Sequence, residues 1–240
     1  SEGMAHFSTL LLVEKMRGER QRQSFAKQME ARYGRLRQKD SERPLVKIDG
    51  KLPGDTRIWY DKGGWVLWML HRHMGEERGL AALREYMAKY RDAKVPASLE
   101  DYLAIQRAHA ADTTAFDAFT KQWFFGVVAP KYLVENARLE KDGDGWKVTA
   151  VVHNVGDGRM TIDVAAAAGE QWPDAGKKAA PWKTERTTIT IGAGERVPVS
   201  MRCAFQPEKL VVDPDVRVLM LERNKAEVKL APASGPIALR

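Results

Sequence analysis

Apolar residues in the first half of the chain recur at three-to-four spacing, the period of a helix that buries one face. Met4, Phe7 and Leu11 mark a first stripe that runs to Glu14 and Lys15, and Phe25, Met29, Tyr33 and Leu36 form a second, narrow one. Asp40 to Thr56, with Pro44, Gly50, Pro53 and Gly54, has the turn chemistry of a loop. Trp59 to Met74 is the most apolar helical stretch, and Gly75 stands at its C-cap position. Leu80, Leu83, Met87 and Tyr90 predict the next helix. Pro96 breaks the pattern, and Ser98 with Asp101 has capping-box spacing ahead of Tyr102 and Leu103. Phe116, Phe119 and Trp123 mark a last helix, ending near Gly126 and Pro130.

Beyond Pro130 the period falls to two. Trp146, Val148, Ala150 and Val152 alternate with their neighbours, as do Met160, Ile162 and Val164. Thr188 to Ile191, Val197 to Met201, Leu210 to Val212 and Val216 to Leu221 continue the series, separated by turn formers such as Asp142-Gly143-Asp144-Gly145 and Asp213-Pro214-Asp215. About seven short strands in about a hundred residues predict an immunoglobulin-like β-sandwich. The chain therefore reads as α+β: a helical part over 1–128, a sandwich over 129–232 and a flexible tail over 233–240.

Composition narrows the function classes. The 240 residues are 44% hydrophobic and 30% charged, which suits a soluble globular protein with a sizeable core. The longest apolar runs, such as Trp65 to Leu70, fall far short of the roughly eighteen residues that span a bilayer. The single cysteine, Cys203, excludes an internal disulfide and a thiolate-cluster metal site. The net charge of +7 has its local source in Arg17 to Lys39, where eight basic residues meet two acidic ones. Such a run reads as a solvated helix face, with a nucleic-acid or anionic-membrane binder as the alternative. No glycine-rich or base-stacking pattern adjoins it, so no nucleic-acid partner is expected.

Candidate chemistry is sparse. There is no His-Glu-x-x-His, no Gly-x-Ser-x-Gly and no phosphate-binding glycine loop. The histidines are His6, His71, His73, His109 and His153. His71 and His73 are two residues apart and diverge on a helix, so they cannot share one metal. Two stretches stand out: Trp59-Tyr60-Asp61-Lys62-Gly63-Gly64 at the head of the most apolar helix, and Ser1-Glu2-Gly3 at the head of another. Read from residues alone, Tyr60 pins a helix start and Glu2 is a carboxylate favoured by the helix dipole.

Tyr60-Asp61-Lys62-Gly63, followed by Val66 to Leu70 and Met74-Gly75, resembles the Tyr-x-Lys-Gly segment of the aminopeptidase N family of zinc metallopeptidases, which includes leukotriene hydrolase. The resemblance continues through Tyr90, Leu99-Glu100-Asp101 and Phe119 to Trp123. Upstream, Glu2-Gly3 resembles the family's Glu-Gly pair, and its 58-residue distance from Tyr60 is similar to the family's. Downstream, the sandwich with Asp213-Pro214-Asp215 resembles the small β domain that follows the catalytic domain.

The resemblance implies the helical C-terminal half of a thermolysin-like catalytic domain, with Glu2 as a zinc ligand and Tyr60 as the donor to the oxyanion. It further implies peptide substrates that lose their N-terminal residues. The family's His-Glu-x-x-His and Gly-x-Met-Glu-Asn segments are missing here. The expectation is a C-terminal fragment of a longer enzyme, inactive alone and retaining no zinc, from a parent that is cytoplasmic or membrane-tethered. A non-enzymatic protein-interaction module is the alternative.

Overall fold

The computed structural model describes residues 2–174, 176 and 178–232; the side chain of Glu2 and the expected tail over 233–240 lie outside the described residues. The chain is α+β and divides into two compact units, residues 1–128 and 129–240.

The first unit is helical. Helix α1 (Glu2–Leu36) is interrupted at Gly18, whose φ of 80° and ψ of 176° are not helical. A segment with two short 3-10 turns, which buries Leu45 and Ile48, leads to the single turn α2 (Asp55–Arg57). A π-helical turn, Ile58–Lys62, follows and runs directly into α3 (Gly63–Met74). Every residue of α3 from Gly63 to His71 is buried, so this helix is the axis of the unit. Then come α4 (Glu76–Tyr90), α5 (Leu99–His109) and α6 (Thr113–Trp123). The Ser98–Asp101 capping box is formed at the head of α5, with both reciprocal bonds in place.

The periodicity misplaces one buried face. On α4 the buried residues are Gly79 and Ala82, whereas Met87 of the expected stripe is 57% exposed. The reason is the ring of His71: a Cβ on Gly79 would stand 2.2 Å from its Nδ1, so only glycine permits this approach. In α1 the first stripe likewise buries Phe7 and Leu10, while Leu11 is only half-buried.

The second unit is a sandwich of two antiparallel sheets. Strands β1 (Tyr132–Asp142), β2 (Gly145–Asn154) and β5 (Arg196–Cys203) form one, in the order β1-β2-β5. Strands β3 (Met160–Ala168), β4 (Lys183–Ile191), β6 (Lys209–Val212) and β7 (Glu227–Lys229) form the other, in the order β4-β3-β6-β7. Val148, Val152, Ile162, Val164, Met201 and Leu210 are among the residues of both sheets that share one core. Val216 to Leu221 is not a strand. The Asp213 carboxylate there accepts the backbone N–H groups of Arg217 (2.8 Å) and Val218 (2.9 Å), and Arg223 donates to the Val218 carbonyl (2.6 Å). Those bonds satisfy the backbone of a buried irregular segment that would otherwise need a ladder.

Among the described residues, no helix is long and apolar enough to cross a membrane.

Candidate functional site

The segments holding Glu2 and Tyr60 meet through glycines. A Cβ on Gly3 would stand 2.9 Å from the Trp59 carbonyl oxygen and 3.3 Å from the Gly63 carbonyl carbon. A Cβ on Gly64 would stand 2.5 Å from the Cβ of His6 and 3.3 Å from the Gly3 oxygen. Backbone thus lies on backbone, and the first turn of α1 is seated on the Trp59–Gly64 segment. The two candidate residues each flank that contact, 58 positions apart in sequence and adjoining in the fold. Glu2 is helical in its backbone, but its side chain is outside the described residues.

Tyr60 sits in the π-helical turn, where the Gly63 N–H reaches back five residues to the Ile58 carbonyl. An inserted π turn of this kind shifts the residues it carries out of ordinary helical register, and such turns occur often at functional sites. Tyr60 is half-buried, and its ring meets the His6 ring edge-on at 5.4 Å between centroids. His6 Nδ1 lies 2.9 Å from the Tyr60 carbonyl oxygen, which can only accept, so this nitrogen carries the proton.

The next two residues anchor the turn. Asp61 has no exposed surface; Arg32 Nη2 donates to it at 2.8 Å, Arg57 Nη1 lies 3.4 Å away, and His6 Nδ1 is 3.5 Å from Oδ1. Lys62 is also buried, and its ammonium donates to Glu42 Oε1 at 2.7 Å, as does the Tyr33 hydroxyl at 2.7 Å. Arg37 Nε lies 2.7 Å from the other Glu42 oxygen, close enough for charge attraction but outside the geometry of a hydrogen bond. Charges removed from water in this way are held only where their partners are fixed. The backbone that carries Tyr60 is therefore held at its own carbonyl by His6 and at the next two residues by the Asp61 and Lys62 pairs.

A cleft of about 280 Å³ adjoins this segment, lined by Met4, Ile48, Trp59, Leu67, Tyr102 and Phe124 among others. Burial pushes the Tyr102 phenol far above its ordinary range, so it stays a neutral wall of the cleft.

The remaining candidates are dispersed. His71 is buried beside Gly79, and burial lowers its pKa, with Glu76 opposing that shift. His73 stacks on Phe119 at 5.2 Å, His109 pairs with Glu85 at 2.7 Å and His153 with Glu135 at 3.0 Å. Among the described residues, no group of three His, Cys, Asp or Glu could hold a metal ion. The basic run is partly internal: Arg22 lies over the Trp68 ring at 4.7 Å and within 3.2 Å of Glu19, while Arg32 and Arg37 face Asp61 and Glu42. Sequence reasoning passed over His6, Glu42 and the role of Asp61. Only His6 left a signal, since it follows Glu2 by one helical turn.

No protein-family model matches the chain, and no curated protein sequence matches it. Among solved structures the chain is similar to a protein described as "Crystal Structure of Bifidobacterium adolescentis GH3 beta-glucosidase", at 16% identity and a TM-score of 0.28. That likeness covers 51% of this chain and 22% of the glucosidase chain.

Proposed function

We propose that this chain is the C-terminal part of a zinc aminopeptidase that removes N-terminal residues from peptides. Tyr60 would donate to the oxyanion of the tetrahedral intermediate, and Glu2 would be one carboxylate ligand of the metal. The observation that carries the reading is the seating of Gly3 on the Trp59–Gly64 backbone, which joins the two segments that the resemblance singles out. The π-helical turn and the buried pairs of Asp61 and Lys62 support it, because an oxyanion donor must be fixed before the charge develops. Glu2 would supply one ligand, and the two histidine ligands would come from a His-Glu-x-x-His segment, which this sequence lacks. The internal use of Arg22, Arg32 and Arg37 favours this reading over an anionic-surface binder.

The test is Tyr60→Phe in the enzyme that carries this chain together with a His-Glu-x-x-His segment. Loss of one oxyanion donor lowers kcat by about a hundredfold or more. KM and the melting temperature stay near those of the parent, because the ring remains. Normal turnover with a lowered melting temperature makes Tyr60 structural and overturns the proposal. Sub-micromolar zinc binding and turnover of an aminoacyl arylamide by the 240-residue chain alone would overturn the fragment reading.

A further inference from the structure

We infer that His6 is a positioning residue for Tyr60, holding its carbonyl through the Nδ1 proton and so fixing the aim of the phenol; the inference rests on the reading of Tyr60 above.

Three observations converge on His6. Its Nδ1 is 2.9 Å from the Tyr60 carbonyl oxygen and 3.5 Å from Asp61 Oδ1, so one proton faces both residues. The Gly63 N–H is shared between the Ile58 and Tyr60 carbonyls, so the Tyr60 oxygen has only part of a backbone donor, and His6 Nδ1 supplies a second donor to its other lone pair. The ring is itself wedged, edge-on to Tyr60 at 5.4 Å and to Phe25 at 5.8 Å. The Cβ of His6 is the atom that a side chain on Gly64 would strike first, at 2.5 Å, so its stem has no room to move toward α3.

The chemistry selects histidine for this task. A bond from a ring nitrogen to a backbone carbonyl fixes the orientation of both partners more tightly than a flexible lysine or glutamine could. His6 stands one helical turn after Glu2 on α1, so the element that carries the proposed carboxylate ligand also holds the proposed oxyanion donor. Asp61 completes the arrangement from the next position, with Arg32 and Arg57 balancing its charge so that it does not draw His6 away from the carbonyl.

The experiment compares His6→Leu, which keeps bulk and loses the donor, with His6→Asn, whose amide can donate from near the Nδ1 position. Amide hydrogen exchange is followed in the 240-residue chain over residues 58–64, with residues 66–71 of α3 as the internal reference. Losing one hydrogen bond raises local opening by roughly fivefold to tenfold. His6→Leu is expected to speed exchange over 58–64 by that factor and leave α3 unchanged, while His6→Asn restores most of the protection. Unchanged exchange in His6→Leu, or His6→Asn behaving like His6→Leu, overturns the inference.

In the active enzyme His6→Leu is expected to lower kcat at least tenfold with KM within about twofold, and His6→Asn to recover it. If Tyr60→Phe abolishes turnover but His6→Leu does not reduce it, positioning is refuted and the catalytic reading stands. If Tyr60→Phe is fully active, the catalytic reading falls, and the exchange data alone decide whether His6 holds the turn.

Discussion

Lys62 and Glu42 are both all but inaccessible to water and 2.7 Å apart, so each is the other's replacement for solvent. Breaking such a pair leaves a buried charge, and the usual loss is about 3–5 kcal/mol. Glu42 keeps Arg37 and the Tyr33 hydroxyl nearby, so Lys62→Met is expected to lose about 3 kcal/mol, the lower end of that range. Denaturant unfolding of the two proteins measures it, and Lys62→Met combined with Glu42→Gln should lose less than the sum of the separate changes.

His71 gives the helical unit a pH dependence. Burial lowers its pKa, the neighbouring Arg72 adds to that, and Glu76 and Glu14 oppose it. The unfolded chain then binds a proton at higher pH than the folded one. His71 therefore contributes its full stability above its ordinary value of about 6.5, and that contribution is lost as pH falls from there through the lower folded value. Melting temperature should fall between pH 7 and 5, and His71→Leu should flatten this slope. An equal slope in the variant assigns the dependence to another group.

At the scale of elements, the contact of α1 with α3 is set by residues that have no side chain. Gly64→Ala would place a Cβ within 2.5 Å of the His6 stem and 3.0 Å of Met29 Cε. Overpacking of this kind costs about 1–3 kcal/mol, against about 0.5–1 kcal/mol gained from better helix propensity. The expected net loss is about 1–2 kcal/mol, readable as a lower denaturation midpoint with an unchanged slope. The existence of α3 was legible as an apolar run; its π-helical entry was not, because a helix buried all round has no polar face against which a one-residue shift of phase would show. Strand β1 was missed for a related reason. Only Tyr132 and Leu139 along it are buried, and the positive φ of Asn136 falls where its register with β2 shifts, so no alternation survives in the sequence. Val216 to Leu221 erred the other way, its apolar residues being buried in a segment whose backbone is bonded by Asp213 and Arg223.

At the scale of the molecule, residues 129–232 have their own core, shared between two sheets. A polypeptide of that span should show a β-type circular dichroism spectrum and a single cooperative melt. A helical or non-cooperative result would show that the sandwich needs the rest of the chain. The change from three-to-four periodicity to alternation, on which the α+β reading stood, is legible because elements such as α6 and β2 bury one face, even though α3 is buried all round. The candidate site was legible only in part. Tyr60 and Glu2 were reached through resemblance, whereas the Asp61–Arg32 and Lys62–Glu42 pairs join residues twenty or more positions apart, and charge order along a chain does not say which ions will meet.

The break in α1 at Gly18 has a bearing on how this architecture tolerates change in length. A Cβ there would meet nothing within 4 Å, so backbone conformation rather than crowding selects glycine. Gly3 and His6 hold the Tyr60 segment from one side of the break, and Arg32 holds Asp61 from the other. An extra residue inside either half would rotate everything beyond it by about 100° and pull one grip from its target. The same insertion beside Gly18 meets no helical ladder to propagate along. Of all positions in the thirty-five-residue helix, this joint is where relatives of different length could diverge while keeping both hands on the same turn.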